Sequence, residues 1–271
     1  MLGFCDEFAG RRFRRDKMEI IADYHTHTTY SHGTGSVSDN ALSAKEKGLK
    51  EIAISDHGFA HPFFGLKKSK LPFLKKDCES ATEKTGVNVL VGIESNLLSE
   101  KGDLDLNEDL YEYFDVFLAG IHVCVKYKTA AALCKFGITS PIIYKNGGEP
   151  SEKLKAFTTK AYVNTIEKNP IDAITHLNYR AFANVKEIAD CCRINGTYIE
   201  INTKKSHMTD EQWKEVYSTG VNFIIGSDAH SPDRVGDDKS AIELIDRLGF
   251  DRARVHNIDR LPDFRFKKYK G

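Results

Sequence analysis

Seven short apolar runs, separated by stretches of helical length, constrain this chain more than any other feature of its sequence. They are MEIIADYH (18–25), EIAISDH (51–57), VNVLVGIE (87–94), DVFLAGIH (115–122), DAITH (172–176), TYIEIN (197–202) and VNFIIGSD (221–228). Most are continuous rather than alternating, the pattern of strands covered on both faces in a parallel sheet. Between them, Ser38 offers an N-cap for a helix through ALSAKEKGL that ends at Gly48, and residues 151–168 read as a helix stopped by Asn169-Pro170. FANVKEIADCCRIN runs to Gly196, Thr209 and Gln212 make a capping box ahead of WKEVYS, and 238–248 supplies a further helix. Such alternation predicts an α/β fold with a parallel sheet, open or closed, of a size that suits a barrel close to (β/α)8.

Charge and composition narrow the function. With 39 Lys+Arg against 39 Asp+Glu, the chain has no overall field to hold a polyanion, so no long nucleic acid or anionic membrane surface is expected as a partner. No apolar run approaches the roughly 18 residues of a membrane span. The six cysteines include no CxxC, and Arg11, Arg12, Arg14 and Arg15 are not followed by the apolar segment of a secretory signal. A cytoplasmic protein with reduced thiols is expected. Residues 1–17 read as an N-terminal extension, and 18–271 as one domain with a long insertion around 123–150 containing Lys126, Lys128, Lys145 and the GGEP turn. That insertion is either a lid over a functional face or a packed surface excursion.

The histidines fall where strands end. Of ten in the chain, His25 with His27, His57, His122, His176 and His230 close five of the seven apolar runs, while Glu94 ends another and Asp228 precedes His230. In a parallel α/β fold these ends share one face, so the side chains converge on one cavity. Residues i and i+2 of an extended chain point to the same side, so both imidazoles of His25-Thr26-His27 can grip one ion, and Asp228 and His230 repeat the spacing. Imidazoles mixed with carboxylates and lacking thiolates suit Zn, Mn or Fe. The donors outnumber the four to six ligands of one ion, so a binuclear or trinuclear cluster follows.

The set DYHTHTTYSHG, ISDHG, GIESN, AGIH, ITHLNY and GSDAHSPDRVG resembles the PHP (polymerase and histidinol phosphatase) superfamily over about residues 19–236. The resemblance implies a distorted (β/α)7 TIM-like barrel with a trinuclear metal centre at the C-terminal face of the strands. It implies that His25, His27, Glu94 and Asp228 hold a first ion, with Glu94 bridging to a second held by His122 and His176. His32, His57 and His230 would hold a third, His32 occupying the family's place for a loop histidine after HxH.

A cluster of this kind lowers the pKa of bound water and clamps phosphoryl oxygens as charge builds, so the expected chemistry is phosphoester hydrolysis by hydroxide in line with the leaving group. Asp228 or His230 would pass a proton to the leaving group, and Arg234, then Arg180, then Lys126 would add cationic help to the phosphate. The expected partner is a small phosphorylated metabolite, with histidinol phosphate the leading candidate because the HSPDRVG loop resembles histidinol-phosphatase-like members. Alternatives are a nucleotide phosphodiesterase or nucleotidase, a phosphotyrosine-protein phosphatase of the same superfamily, or a non-catalytic metal-binding module. Glu200 and Asn202 either orient ligands from behind or fill the barrel. Trp213 reads as packing and KKSKLPFLKK (67–76) as a solvated face. His61, His207 and His256 receive no role.

Overall fold

The computed structural model describes residues 20–270; the expected extension 1–17 and the start at Met18 lie outside them. Seven parallel strands follow one another around a single sheet in sequence order: β1 (Ala22–Thr26), β2 (Glu51–Ile54), β3 (Asn88–Asn96), β4 (Val116–Gly120), β5 (Ala173–Ile174), β6 (Tyr198–Asn202) and β7 (Phe223–Gly226). A parallel bridge between Thr26 and Ala229 joins the two edges, with His27 N–H donating to Ala229 O at 2.8 Å. The result is a nearly closed seven-stranded TIM-like barrel.

The helices between strands are α1 (Val37–Glu46), α2 (Leu71–Thr85), α3 (Ala130–Ala132), α4 (Ser140–Asn146), α5 (Glu152–Lys168), α6 (Val185–Asn195), α7 (Asp210–Ser218), α8 (Lys239–Leu248) and the C-terminal α9 (Arg265–Lys270). None is long and apolar enough to cross a membrane. α1 starts two residues earlier than Ser38 suggests. Ser36 is the N-cap, accepting from Asp39 N–H while the Asp39 carboxylate accepts from Ser36 N–H, and this reciprocal pair fixes the start. The lysine-rich stretch 67–76 is more than a solvated face: Leu71 and Leu74 are buried and begin α2, with Pro72 in its first turn and the lysines outside. The 123–150 segment is helical through most of its length, with a π-helical stretch at Leu133–Thr139 between α3 and α4; Phe136 anchors it, its ring 5.3 Å from that of Phe157 on α5. Trp213 is buried against Phe223.

The barrel interior is layered. At the bottom, Ala22, Tyr24, Ala53, Val116, Leu118, Ala173, Tyr198 and Ile224 form an apolar cluster with Phe264. Side chains alternate along a strand, so the residues two further on share the interior. On β2 these are Ser55 then His57, on β3 Gly92 then Glu94, on β4 Gly120 then His122, on β6 Glu200, and on β7 Gly226 then Asp228. The glycines leave the middle layer free for polar neighbours. A Cβ at Gly92 would stand 2.3 Å from Ser55 Oγ, one at Gly120 2.4 Å from Thr175 Oγ1, and one at Gly226 2.0 Å from Glu200 Oε1. Two strands break the alternation. On β1 the register shifts between Asp23 and Thr26, a bulge that re-aims His25 and His27. After β5, His176 turns in through a backbone φ of 26°.

Candidate metal centre

The upper layer brings all nine expected ligand residues to one place. Glu94 is fully buried at its middle: Oε1 lies 2.7 Å from His176 Nε2 and 3.2 Å from both His25 Nε2 and His122 Nε2, and Oε2 lies 2.8 Å from His57 Nδ1. Asp228 Oδ1 lies 3.4 Å from His27 Nε2 and 3.2 Å from His230 Nδ1. The His32 ring stacks on His57 at 4.8 Å and sits 4.3 Å from His230. Four triads place ligating atoms within 4.8 Å of one another: His25-His27-Glu94, His25-His176-Asp228, His57-Glu94-His122 and His27-His57-His230.

These groups fit divalent cations better than they fit one another. His25 Nε2, both ring nitrogens of His27, His57 Nδ1, His122 Nδ1, His176 Nδ1 and Glu94 Oε2 are buried without a hydrogen bond. Polar atoms left so are costly, and a cation that accepts their lone pairs removes the cost. Burial and the neighbouring His57 hold His27 well below the usual imidazole range. Burial first, then the charge on His230, pushes His32 down to about 4, and burial, outweighing Glu94, pushes His57 down to about 3. Burial disfavours ionisation of Glu94 and Asp228, yet the surrounding imidazoles outweigh it and hold both carboxyls well below their ordinary range. His25 and His176 run the other way: burial disfavours their charge, but Glu200 and Glu94 outweigh it at His25, and Glu94 at His176, and raise both; a cation bound there would take the place of those protons.

Glu200 supports this layer from behind. Its Oε1 lies 2.6 Å from His25 Nδ1, and its Oε2 accepts from His176 N–H at 2.7 Å and from Asn202 Nδ2 at 3.0 Å. A carboxylate on the far nitrogen of an imidazole fixes the ring's tautomer and orientation.

The centre opens into a cavity of about 390 Å³, lined beyond the ligands by His61, Phe64, Val123, Tyr179, Asn202, Lys204, Lys205 and His207. Neither Arg234, Arg180 nor Lys126 is among the lining residues. Arg234 Nη2 instead pairs with Asp237 at 3.1 Å, and Arg180 lies over the Tyr179 ring at 5.1 Å. The cation beside the ligands is Lys204, whose Nζ lies 3.3 Å from Asp228 Oδ1 and 3.1 Å from His230 Nδ1. Its signal was present in the sequence, two residues past Asn202, where the chain leaves a strand whose Glu200 and Asn202 already face the barrel. His61 and His207 sit on loops, where no strand periodicity marks them. His256 lies elsewhere, its Nδ1 2.9 Å from the Tyr198 hydroxyl.

A parallel barrel whose strand ends converge imidazoles and carboxylates on an open cavity has the donor set of a metal-binding site. Residues 23–204 match the PHP domain. Over 245 residues the chain is 29% identical to a probable phosphatase of Thermoanaerobacter sp. (strain X514), covering 84% of this chain and 86% of that one. It is 30% identical, also over 245 residues, to a probable phosphatase of Shewanella frigidimarina (strain NCIMB 400), covering 84% and 85%. The fold is similar to that of histidinol phosphate phosphatase from Lactococcus lactis subsp. lactis Il1403, solved with zinc, L-histidinol and phosphate, at a TM-score of 0.57 and 16% identity over 92% of this chain and 98% of that one. The chain belongs to the PHP domain family and is a metal-dependent hydrolase of phosphate esters.

Proposed function

We propose that the chain hydrolyses a small phosphomonoester at this centre, with His25, His27, His32, His57, Glu94, His122, His176, Asp228 and His230 holding three divalent ions of the Zn, Mn or Fe type. The buried, unpartnered imidazole nitrogens around Glu94 carry this reading. Because His57 Nδ1 approaches Glu94 Oε2 at 2.8 Å, His57 would serve an ion held by Glu94 as readily as one held by His32 and His230. When bound, such ions polarise the phosphoryl group and activate water.

The chain's own residues do the rest. The P–O bond to the leaving group breaks, water supplies the new oxygen of the phosphate, and a proton ends on the leaving alcohol. Asp228, whose Oδ1 faces His27 and His230 while Oδ2 keeps only a 3.4 Å contact from Asn202, is the group placed to pass that proton. Lys204 balances the charge of the phosphoryl oxygens, the part the sequence assigned to Arg234 and Arg180. The five described cysteines carry free thiols, which fits a cytoplasmic setting. Histidinol phosphate, the leading candidate from sequence, gains support from the likeness of fold and loses some from the cavity walls, which among the described residues offer no carboxylate beyond Asp228 for its ammonium.

The test is phosphate release from phenyl phosphate by Zn²⁺- or Mn²⁺-loaded protein, wild type against Asp228→Asn. Asp228 has a φ of 48°, a conformation Asn tolerates and Ala does not, so Asn removes the charge without straining the backbone. The expected loss in kcat is at least a hundredfold with the circular dichroism unchanged. Turnover retained in the variant would overturn the proposal.

A further inference from the structure

One side of the cavity carries two ammonium groups, and among the described lining residues the one carboxylate, Asp228, pairs with only one of them. Lys204 and Lys205, just past β6, both line it and both are solvent-accessible. Arg180 stands behind the same wall, over the ring of Tyr179. Among the described residues that line the cavity, Asp228 is the only carboxylate, and its Oδ1 is already shared among His27, His230 and Lys204.

The remaining surface is aromatic or neutral. His61 and Phe64 form one wall with ring centroids 4.9 Å apart, and Tyr179 and His207 the other at 4.8 Å. Tyr144, from the 123–150 segment, backs the second wall: its hydroxyl lies 3.1 Å from His207 Nδ1, and Lys205 Nζ stands 5.9 Å from its ring. The insertion thus lines the cavity with Val123 at its start and backs it with Tyr144, beside Lys205. Burial first, then the positive charges of His176, Lys205 and Arg180, hold His207 down to about 4, so near neutral pH it adds no compensating or competing charge.

We propose that the enzyme selects phosphomonoesters whose leaving group bears a second anionic group, a carboxylate or a further phosphate, received by Lys205 while Lys204 attends the phosphoryl group. The proposal rests on the phosphomonoesterase reading. A substrate filling the cavity displaces water from both ammonium groups, and each cation then needs an anion. Lys204 Nζ stands beside Asp228 and His230, where the transferred phosphoryl group would sit, whereas Lys205 Nζ is placed beside the Tyr144 ring. A leaving group that carries an ammonium would instead enter beside two lysines with no free carboxylate, a like-charge approach that selects against it.

The experiment compares kcat/KM of the metal-loaded full chain on 4-(carboxymethyl)phenyl phosphate, 4-(aminomethyl)phenyl phosphate and phenyl phosphate. The two substituted phenols are of similar acidity, so chemistry at phosphorus is closely matched and the remote charge is the variable. The carboxymethyl ester is expected to exceed the aminomethyl ester by roughly tenfold, mostly through KM, with the ratio shrinking as salt is added. Lys205→Glu, at an exposed position where the exchange does not disturb packing, is expected to reverse the order. Equal values for the two charged esters, or an order that Lys205→Glu leaves unchanged, would overturn the proposal while leaving the phosphomonoesterase reading intact. Failure of all three esters to turn over would bring down that reading and this proposal with it.

Discussion

At Gly226 a hydrogen atom is all that fits. A methyl there would lie 2.0 Å from Glu200 Oε1 and 3.1 Å from His25 Cβ, so Gly226→Ala must push the carboxylate off the imidazole it orients. Metal affinity is expected to fall by about 10–100-fold, the usual cost of losing a partner behind a ligand, and competition with a chromophoric chelator would measure it. Glu200→Gln should weaken binding in the same direction, because Gln Oε1 can still accept from His176 N–H but the group no longer carries charge toward His25. Unchanged affinity in both variants would mean that Glu200 only fills the barrel. The convergence of the proposed ligands was legible in the sequence because histidines and acids recur at strand ends. The glycines two residues before Glu94, His122 and Asp228 carried a second signal, since a glycine that deep in a strand leaves room for something beside it. Lys204 was harder to read. It belongs to a different strand from Asp228, and nearness in sequence favoured Arg234, whose guanidinium turns to Asp237 instead.

One carboxyl ties three elements together away from the cavity. Asp172, fully buried at the entry to β5, accepts from Phe117 N–H of β4 at 2.9 Å and from Phe266 N–H of α9 at 2.8 Å. Burial pushes it up to about 7, against those donors and the charge of Arg265. An unfolded aspartate ionises near 3.9. Because the folded value is the higher one, the group's contribution to stability is whole below about pH 4, shrinks as pH rises towards 7, and is lost above that. Three pH units correspond to about 4 kcal/mol. Asp172→Asn removes the titration but supplies one acceptor where two N–H groups need them, so it is expected to be the less stable protein at pH 5. By pH 8 the gap should narrow by about 2–4 kcal/mol. Urea unfolding of both proteins at the two pH values measures this, and parallel behaviour would refute it. The elements themselves were largely readable: the Thr209–Gln212 capping box and the stop at Gly196 follow from local chemistry, and the seven strands fall on the seven apolar runs. α2 was not, because its buried face is spaced among lysines that dominate the composition of 67–76. β5 shortens to Ala173–Ile174 because His176 leaves the strand to reach Glu94.

A seven-stranded barrel has a gap that its sequence of strands does not announce, and the chain closes it twice. At the ligand end, β1 and β7 meet directly through His27 N–H to Ala229 O at 2.8 Å and Ala229 N–H to His25 O at 3.2 Å. At the other end a short segment stands in for an eighth strand: Val255 bridges to Phe223, and buried Asn257 spans the two edges. Its Nδ2 donates to Ala22 O at 2.8 Å and Ile225 O at 2.7 Å, its Oδ1 accepts from Ile225 N–H at 2.9 Å, and its own carbonyl accepts from Ile21 N–H at 2.9 Å. Asn257→Ala leaves three buried backbone groups without their side-chain partner and is expected to cost about 2–4 kcal/mol. The two closures are independent sets of bonds, so the loss should not reach the metal centre. Zn²⁺ bound at the proposed site would tie His25 and His27 of β1 to Asp228 beyond β7, and would stabilise the folded state by about 2.7 kcal/mol at a hundredfold excess over Kd. Calorimetry with and without Zn²⁺ should therefore find the same metal-induced rise in unfolding free energy in wild type and Asn257→Ala, on a lower baseline in the variant. A rise that vanishes in the variant would mean that the barrel closes as one cooperative seam, with Asn257 setting the distance between the strands that carry the ligands.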